Sequence, residues 1–311
     1  MMSKDSKIFL AGHRGMVGSA IVRELENQGY SNILTKTHQE LDLLDQKAVA
    51  EFFAEEKPQF VFLVAAKVGG IEANRTQLGA FLYENLQIQN NIIHNAYLHK
   101  VERLIFLASS CIYPRLAPQP IKEEYLLTGE LEQTNYGYAI AKIAGVKMCE
   151  AYRAQYGCDF VALMPTNLYG INDNFDLQNS HLLPALIRKF HEAKISNQSA
   201  VEVWGTGTPR RELLFVNDLA QACVFVMNKK EITDLTNIGS GVDKTVKELA
   251  ELVKKTVGYQ GEIKFNSNMP DGTPRKCLDV SKINSFGWKE KTSLEDGLKI
   301  VYKWYLQNKI S

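Results

Sequence analysis

"KIFLAGHRGMVGSAIVRELENQGY", residues 7 to 30, carries the reading on which the fold turns. KIFLAG (7–12) is a short apolar run of strand type, and VGSAIVRELENQGY (17–30) sets apolar residues at helical spacing until Gly29 stops it. Gly12, Gly15 and Gly18 lie between and within them, spaced G-x-x-G-x-x-G. Glycines there permit a tight turn, let the backbone approach a pyrophosphate and let helix pack on strand, while the first helical amides face the anion. Alone such glycines mark only a turn; between a strand and a helix of one βαβ unit they predict a dinucleotide site.

The same rhythm continues outward. NILTKT (32–37), FVFLVAA (60–66), RLIFLASS (103–110) and DFVALMP (159–165) read as strands. Helical patterns over 46–57, 81–100 and 138–155 separate them. Strands alternating with helices predict an α/β fold, a Rossmann-like doubly wound parallel sheet. The rhythm weakens at TNLYGINDNFDLQNSH (166–181), polar and turn-rich as a binding loop would be. ELLFVNDLAQACVFVMN (212–228) returns to the first domain's pattern, and the chain then opens a smaller α/β lobe. The expected division is 1–164 plus 212–232 for a dinucleotide-binding domain, and 165–211 plus 233–311 for a substrate-binding lobe, with the site between them.

The composition bounds the function. The 311 residues carry 36 Lys+Arg against 35 Asp+Glu, a net charge of +1 with no basic, aromatic-studded stripe, so nucleic acid is not an expected partner. Five cysteines with no C-x-x-C pair argue against a disulfide framework or a zinc ribbon, and no metal is expected. The polar N-terminus and the lack of a long apolar run predict a cytoplasmic protein, neither exported nor membrane-bound.

In an NAD binder an acidic residue usually ends the second strand. Here that region reads Thr35, Lys36, Thr37, His38, with no acid before Glu40. Arg14 in the loop and Lys36 or His38 nearby suit a 2′-phosphate instead, so NADP(H) is the expected cofactor. Tyr138 and Lys142 in YAIAK stand four apart, on one helix face. A phenol is a weak acid–base group near neutrality unless its surroundings tune it, and an ammonium one turn away is suited to that. Ser109, at its strand's carboxyl end, would complete a clamp on a carbonyl oxygen; Tyr136 has no lysine four residues on.

AGHRGMVGSAIV, AAKVGGI, SSCIYP, YAIAKIAG, MPTNLYG, SHLLPALIRKF and DGTPRK together resemble the extended short-chain dehydrogenase/reductase superfamily across nearly the whole chain. Within it they are similar to the branch that converts GDP-4-keto-6-deoxy-mannose by 3,5-epimerisation and NADPH-dependent 4-reduction. The resemblance implies that Ser109, Cys111, Tyr138, Lys142 and His181 are catalytic. It implies NADP(H) contacts from Gly12, Arg14, Gly15, Met16, Val17 and Gly18, from Lys36 and His38, from Leu107, Ser109 and Ser110, and from Tyr138, Lys142, Pro165, Asn167, Leu168 and His181. Lys189, Trp204, Arg211 and Asp271 would hold the nucleotide sugar. Many relatives carry arginine where this chain has Lys189 and His38.

Cys111 and His181 would be the acid and base on opposite faces of the keto-sugar, in either order, and Asn167 would help Ser109 polarise the ketone. Apart from the resemblance, Cys111 reads as a small buried hydrophobe and His181 as a helix cap. Relatives that only swap C4 or dehydrate the sugar carry Thr or Glu at the position of Cys111. Such a 4-epimerase, dehydratase or reductase is the alternative, and an NADP-holding sensor is a more distant one. By analogy the chain is expected to be a homodimer.

Overall fold

The computed structural model describes residues 1–177, 180–269 and 271–308; residues 178 and 179 of the expected binding loop lie outside them. In chain order the elements are β1 (Ile8–Ala11), α1 (Met16–Asn27), β2 (Ile33–Leu34), α2 (Gln46–Glu56), β3 (Phe60–Leu63), α3 (Ile71–Thr76), α4 (Leu78–Leu98), β4 (Arg103–Leu107), α5 (Tyr136–Tyr156), β5 (Phe160–Pro165) and β6 (Asn167–Tyr169). There follow α6 (Leu182–Ile195), β7 (Ala200–Trp204), β8 (Arg210–Phe215), α7 (Val216–Asn228), β9 (Thr236–Ile238), β10 (Asp243–Thr245), α8 (Val246–Val257), β11 (Glu262–Asn266), β12 (Arg275–Lys276), α9 (Ser281–Ser285) and α10 (Leu294–Gln307).

Six strands form a parallel sheet in the order β2-β1-β3-β4-β5-β9. Strands β1, β3, β4 and β5 are buried along their whole length, because helices cover both sheet faces, and this is why they read as unbroken apolar runs. Each such Val, Leu, Ile or Phe contributes about 1.5–3 kcal/mol on leaving water. The fold is therefore the Rossmann-like α/β sheet read from the sequence. Its order reverses between β1 and β3, and ligands of open α/β sheets bind at the carboxyl ends beside such a switch.

The smaller lobe is built on β8, whose first half pairs with β10 and β12 and whose second half pairs with β6. Helices α6, α8 and α10 enclose a second core of Phe175, Leu186, Phe190, Val253 and Leu298. The chain crosses between the lobes more finely than the sequence suggests. Residues 236–238 form the sixth strand of the large sheet, beside β5, although everything from 233 was expected in the smaller lobe. Strand β8, expected with the first domain, joins the small sheet, while α7 immediately after it packs on α1. A short apolar strand reads alike in either sheet; pairing partners distant in sequence decide. Strand β2 is shorter than NILTKT because the chain leaves the sheet edge after Leu34.

The glycine loop shows the expected close packing. Gly12 has φ +95°, and a Cβ there would lie 2.8 Å from the Ala65 amide nitrogen at the end of β3. A Cβ on Gly18 would lie 2.0 Å from the Gly12 carbonyl oxygen, whereas on Gly15 the nearest atom is 3.6 Å away. Gly18→Ala should therefore cost about 1–3 kcal/mol of stability through overpacking. Gly15→Ala should stay within about 0.5 kcal/mol of the parent while weakening dinucleotide binding, and chemical denaturation alongside a cofactor titration separates the two.

Candidate active site

Strand β4 ends at Leu107, and its continuation turns at Ser109 into a 3-10 turn, Ser110–Ile112, that lifts Cys111 to a half-buried position. The turn is pinned at both ends. The Ser109 Oγ faces the Cys111 amide at 3.5 Å, and the Tyr113 hydroxyl donates to Asn237 Oδ1 at 2.7 Å. Asn237, fully buried in β9, also donates to the Ile121 and Asp279 carbonyls at 2.9 and 3.1 Å. The Tyr-Pro pair after the cysteine is thus an anchor that ties the turn to the far edge of the sheet.

Helix α5 brings Tyr138 and Lys142 to the same place. The Ser109 side chain lies close enough to the Tyr138 hydroxyl to act on its ionisation. Lys142 Nζ donates to the Leu107 carbonyl at 2.8 Å and stands 5.9 Å from the Tyr138 ring centre. Burial raises the phenol's pKa, with the negative form of Cys111 adding to the effect and the Ser109 side chain opposing it. Burial pulls the Lys142 ammonium down to about 8. The expectation that Lys142 would ease ionisation of the phenol is not what dominates: desolvation outweighs it, and Tyr138 stands ready as a proton donor.

His181 is the N-cap residue of α6, yet its side chain makes no capping bond. It keeps an exposed surface inside a crowded cleft, where desolvation first and the Lys276 charge second lower its pKa toward the neutral imidazole. Cys111 and Arg211 in turn act electrostatically on Lys276, so the four residues lie in one neighbourhood. Strand register sets Lys276 beside Arg211 on neighbouring strands. Lys276 was missed in the sequence; the available signal was the paired cation run PRK at the end of DGTPRK.

The remaining residues fall into two groups around this centre. At the cofactor end, Arg14 and Gly15 are exposed beside the start of α1, which has no side-chain cap and no acidic residue in its first turn. Met16 and Val17 open that helix, and Arg14 and Lys36 both act on the Glu40 carboxylate, which places the two cations on one patch. His38 turns outward to Asp42 at 3.5 Å. Ser110 and Pro165 are buried at the ends of the central strands; Asn167 donates to the Glu212 carbonyl at 3.1 Å, with Leu168 following it in β6.

In the smaller lobe, Lys189 lies 5.5 Å from the ring of the exposed Trp204. Asp271 is gripped by the Thr206 amide and hydroxyl at 2.7 and 2.9 Å. Arg211 donates to the Arg210 carbonyl at 2.8 Å and is desolvated, with Asp271 supplying negative charge. The neighbouring cations are committed elsewhere: Arg210 to Asp243 at 2.9 Å and Arg188 to Glu192 at 2.7 Å.

An uncapped helix start behind a glycine loop and a Ser–Tyr–Lys cluster at the carboxyl end of the sheet fit a dinucleotide-dependent enzyme of the α/β class. The chain belongs to the NAD dependent epimerase/dehydratase family, whose model matches residues 8–239. It is 59% identical over 308 residues to a putative GDP-L-fucose synthase 2 of Arabidopsis thaliana, covering 99% of this chain and 94% of that one. It is 52% identical over 316 residues to the GDP-L-fucose synthase of Escherichia coli strain K12, covering 99% and 98%. A solved structure of MlghC, a GDP-mannoheptose C4 reductase from Campylobacter jejuni with NADP bound, superposes with a TM-score of 0.91 at 44% identity, covering 98% of this chain and all of that one.

Tyr113→Phe should leave the buried Asn237 Oδ1 without its donor and cost about 1–3 kcal/mol. Because the same bond holds the Cys111 turn, thiol alkylation at Cys111 should change rate in the folded variant, measurable by mass spectrometry of the labelled peptide.

Proposed function

We propose that this protein converts GDP-4-keto-6-deoxy-D-mannose to GDP-L-fucose by NADPH-dependent 3,5-epimerisation and 4-reduction. One observation supports the reading: Cys111 acts electrostatically on Tyr138, Lys142 and Lys276, and Lys276 on His181, so the proton-transfer candidates from distant segments lie near one another. The relatives named GDP-L-fucose synthase, at 52–59% identity over nearly the whole chain, support it.

The chain's own geometry suits NADP(H). The exposed Gly15 leaves open space at an uncapped helix start, and Arg14 with Lys36 offers two cations for a 2′-phosphate. NADPH, when bound, supplies the hydride for the sugar's C4.

The C4 ketone acidifies the hydrogens on C3 and C5. One of Cys111 and His181 removes such a proton to leave an enolate, and the other returns a proton on the opposite face, once at each centre. A mostly neutral imidazole and a thiol both exchange protons near neutrality. Ser109 steadies the ketone oxygen, and Tyr138, held protonated by burial, gives its proton to that oxygen as C4 is reduced. Lys142 holds the phenol's environment through its bond to Leu107, and Asn167 lends a further donor at the edge of the site. Arg211 and Lys276, side by side on β8 and β12, suit the diphosphate. Trp204 with Lys189 offers a platform for the base or sugar, and Asp271 an acceptor nearby.

NMR of the sugar product after incubation with GDP-4-keto-6-deoxy-mannose should show GDP-L-fucose and one NADPH consumed per turnover. In deuterated water, Tyr138→Phe should still exchange C3 and C5 hydrogens but not reduce, and Cys111→Ala should lose exchange or release incompletely epimerised products. Unchanged exchange and stereochemistry in Cys111→Ala would remove the thiol from the mechanism. The likeness to a GDP-mannoheptose C4 reductase motivates a second reading, a GDP-heptose substrate, and parallel assays decide between the two.

The outer face of α4 and α5 supports a homodimer. His94, Tyr97, Tyr152 and Tyr156 form a ring cluster there, with Tyr97 and Tyr156 stacked at 4.2 Å beside the exposed Leu98. Light scattering should give twice the chain mass, and Leu98→Glu together with Tyr156→Glu should give the monomer. All five cysteines are free and no described helix is long and apolar enough to cross a membrane, which accords with a cytoplasmic location.

A further inference from the structure

Glu212 has no part in the chemistry above, yet it is fully buried. Its Oε1 accepts from the Gly241 amide at 2.8 Å and its Oε2 from the Leu278 amide at 2.7 Å. Its own carbonyl accepts from Asn167. The two amides come from different places: Gly241 follows β9 of the large sheet, and Leu278 follows β12 of the small one. A Cβ at Gly239 would stand 2.1 Å from Oε1, so the residue there is one that leaves room for the carboxylate.

Two backbone N–H groups converging on one side chain need two acceptor oxygens. Glutamine would present one oxygen and one NH2, setting a donor against a donor. Bonds from backbone N–H to an ionised carboxylate are also short and strong, which offsets part of the cost of burying the charge. Adjacent strand residues face opposite ways, so Glu212 lies behind the strand face from which Arg211 reaches the cleft. Leu278 is two residues past Lys276, the register partner of Arg211. Burial raises the Glu212 carboxyl's pKa against the pull of these amides, and its negative charge favours the Lys276 ammonium.

We propose that Glu212 is a positioning residue: by gripping the Gly241 and Leu278 amides it sets the spacing of Lys276 and Arg211 for a nucleoside diphosphate. The inference rests on the GDP-sugar reading above. Its test is a binding titration with GDP itself, so that it does not depend on turnover.

Calorimetry of the full chain should show Glu212→Gln weakening GDP by roughly tenfold or more, with the NADPH Kd within about twofold. Gly239→Ala, which crowds the carboxylate while keeping its charge, should move the GDP Kd the same way. In a Lys276→Met background, Glu212→Gln should add less than about twofold, since the spacing it sets has no effect once the Lys276 ammonium is gone. A GDP Kd unchanged in folded Glu212→Gln, full additivity with Lys276→Met, a parallel fall in NADPH affinity, or failure of both Glu212→Gln and Gly239→Ala to fold would each overturn the role. A parent that binds GDP but leaves GDP-4-keto-6-deoxy-mannose unreduced would sink the assigned reaction and leave Glu212 to be judged by its Kd ratios. A parent that does not bind GDP would sink both.

Discussion

Helix α5 lies directly against the Phe106 ring of strand β4: a Cβ at Gly145 would stand 2.4 Å from that ring. Gln89, from α4, closes the contact by donating to the Ala141 carbonyl at 2.7 Å. A protein interior this dense leaves little freedom for a helix to slide or roll. Lys142, one turn before Gly145, therefore reaches the Leu107 carbonyl, and Tyr138, a turn earlier, meets Ser109 where β4 ends. The relative placement of hydroxyl, phenol and ammonium follows from backbone packing more than from attraction among the three groups.

That packing also dries the site, and dryness acts on each titratable group according to the sign of its charged form. The Tyr138 phenol resists becoming an anion, while Lys142 and His181 resist remaining cations. Burial thus pushes each of these groups toward its neutral form, the direction that eases proton transfer near neutrality. Lys276 and Arg211 are also desolvated, each offset in part by a nearby carboxylate. Glu212 behind them is held by the amides of Gly241, after β9, and Leu278, after β12.

Much of this was legible because the relevant signals are local. Apolar runs predict buried parallel strands, the glycine spacing predicts the loop, and Y-x-x-x-K fixes two side chains to one helix face. The resemblance in SSCIYP and SHLLPALIRKF added Cys111 and His181. What could not be read was any relation between segments far apart in sequence. The Tyr113–Asn237 bond joins residues 124 positions apart, and the carboxylate of Glu212 meets Leu278 across 66. Lys276 looked like one cation in an exposed run until β12 paired with β8. The boundary near 233 misplaced β9 for the same reason, since a three-residue strand reading TNI carries no record of which sheet edge it completes.

The sequence by itself determined the kind of sheet, the glycine loop between its first strand and helix, and the placing of Tyr138 and Lys142 on one helix face, because periodicity and residue spacing act over a few residues. Only the tertiary structure decided which of those groups share one desolvated space, in which direction their protonation is biased, and which buried carboxylate ties the lobes behind them. Those properties arise from burial and from pairing between distant strands, which exist only once the chain has closed on itself.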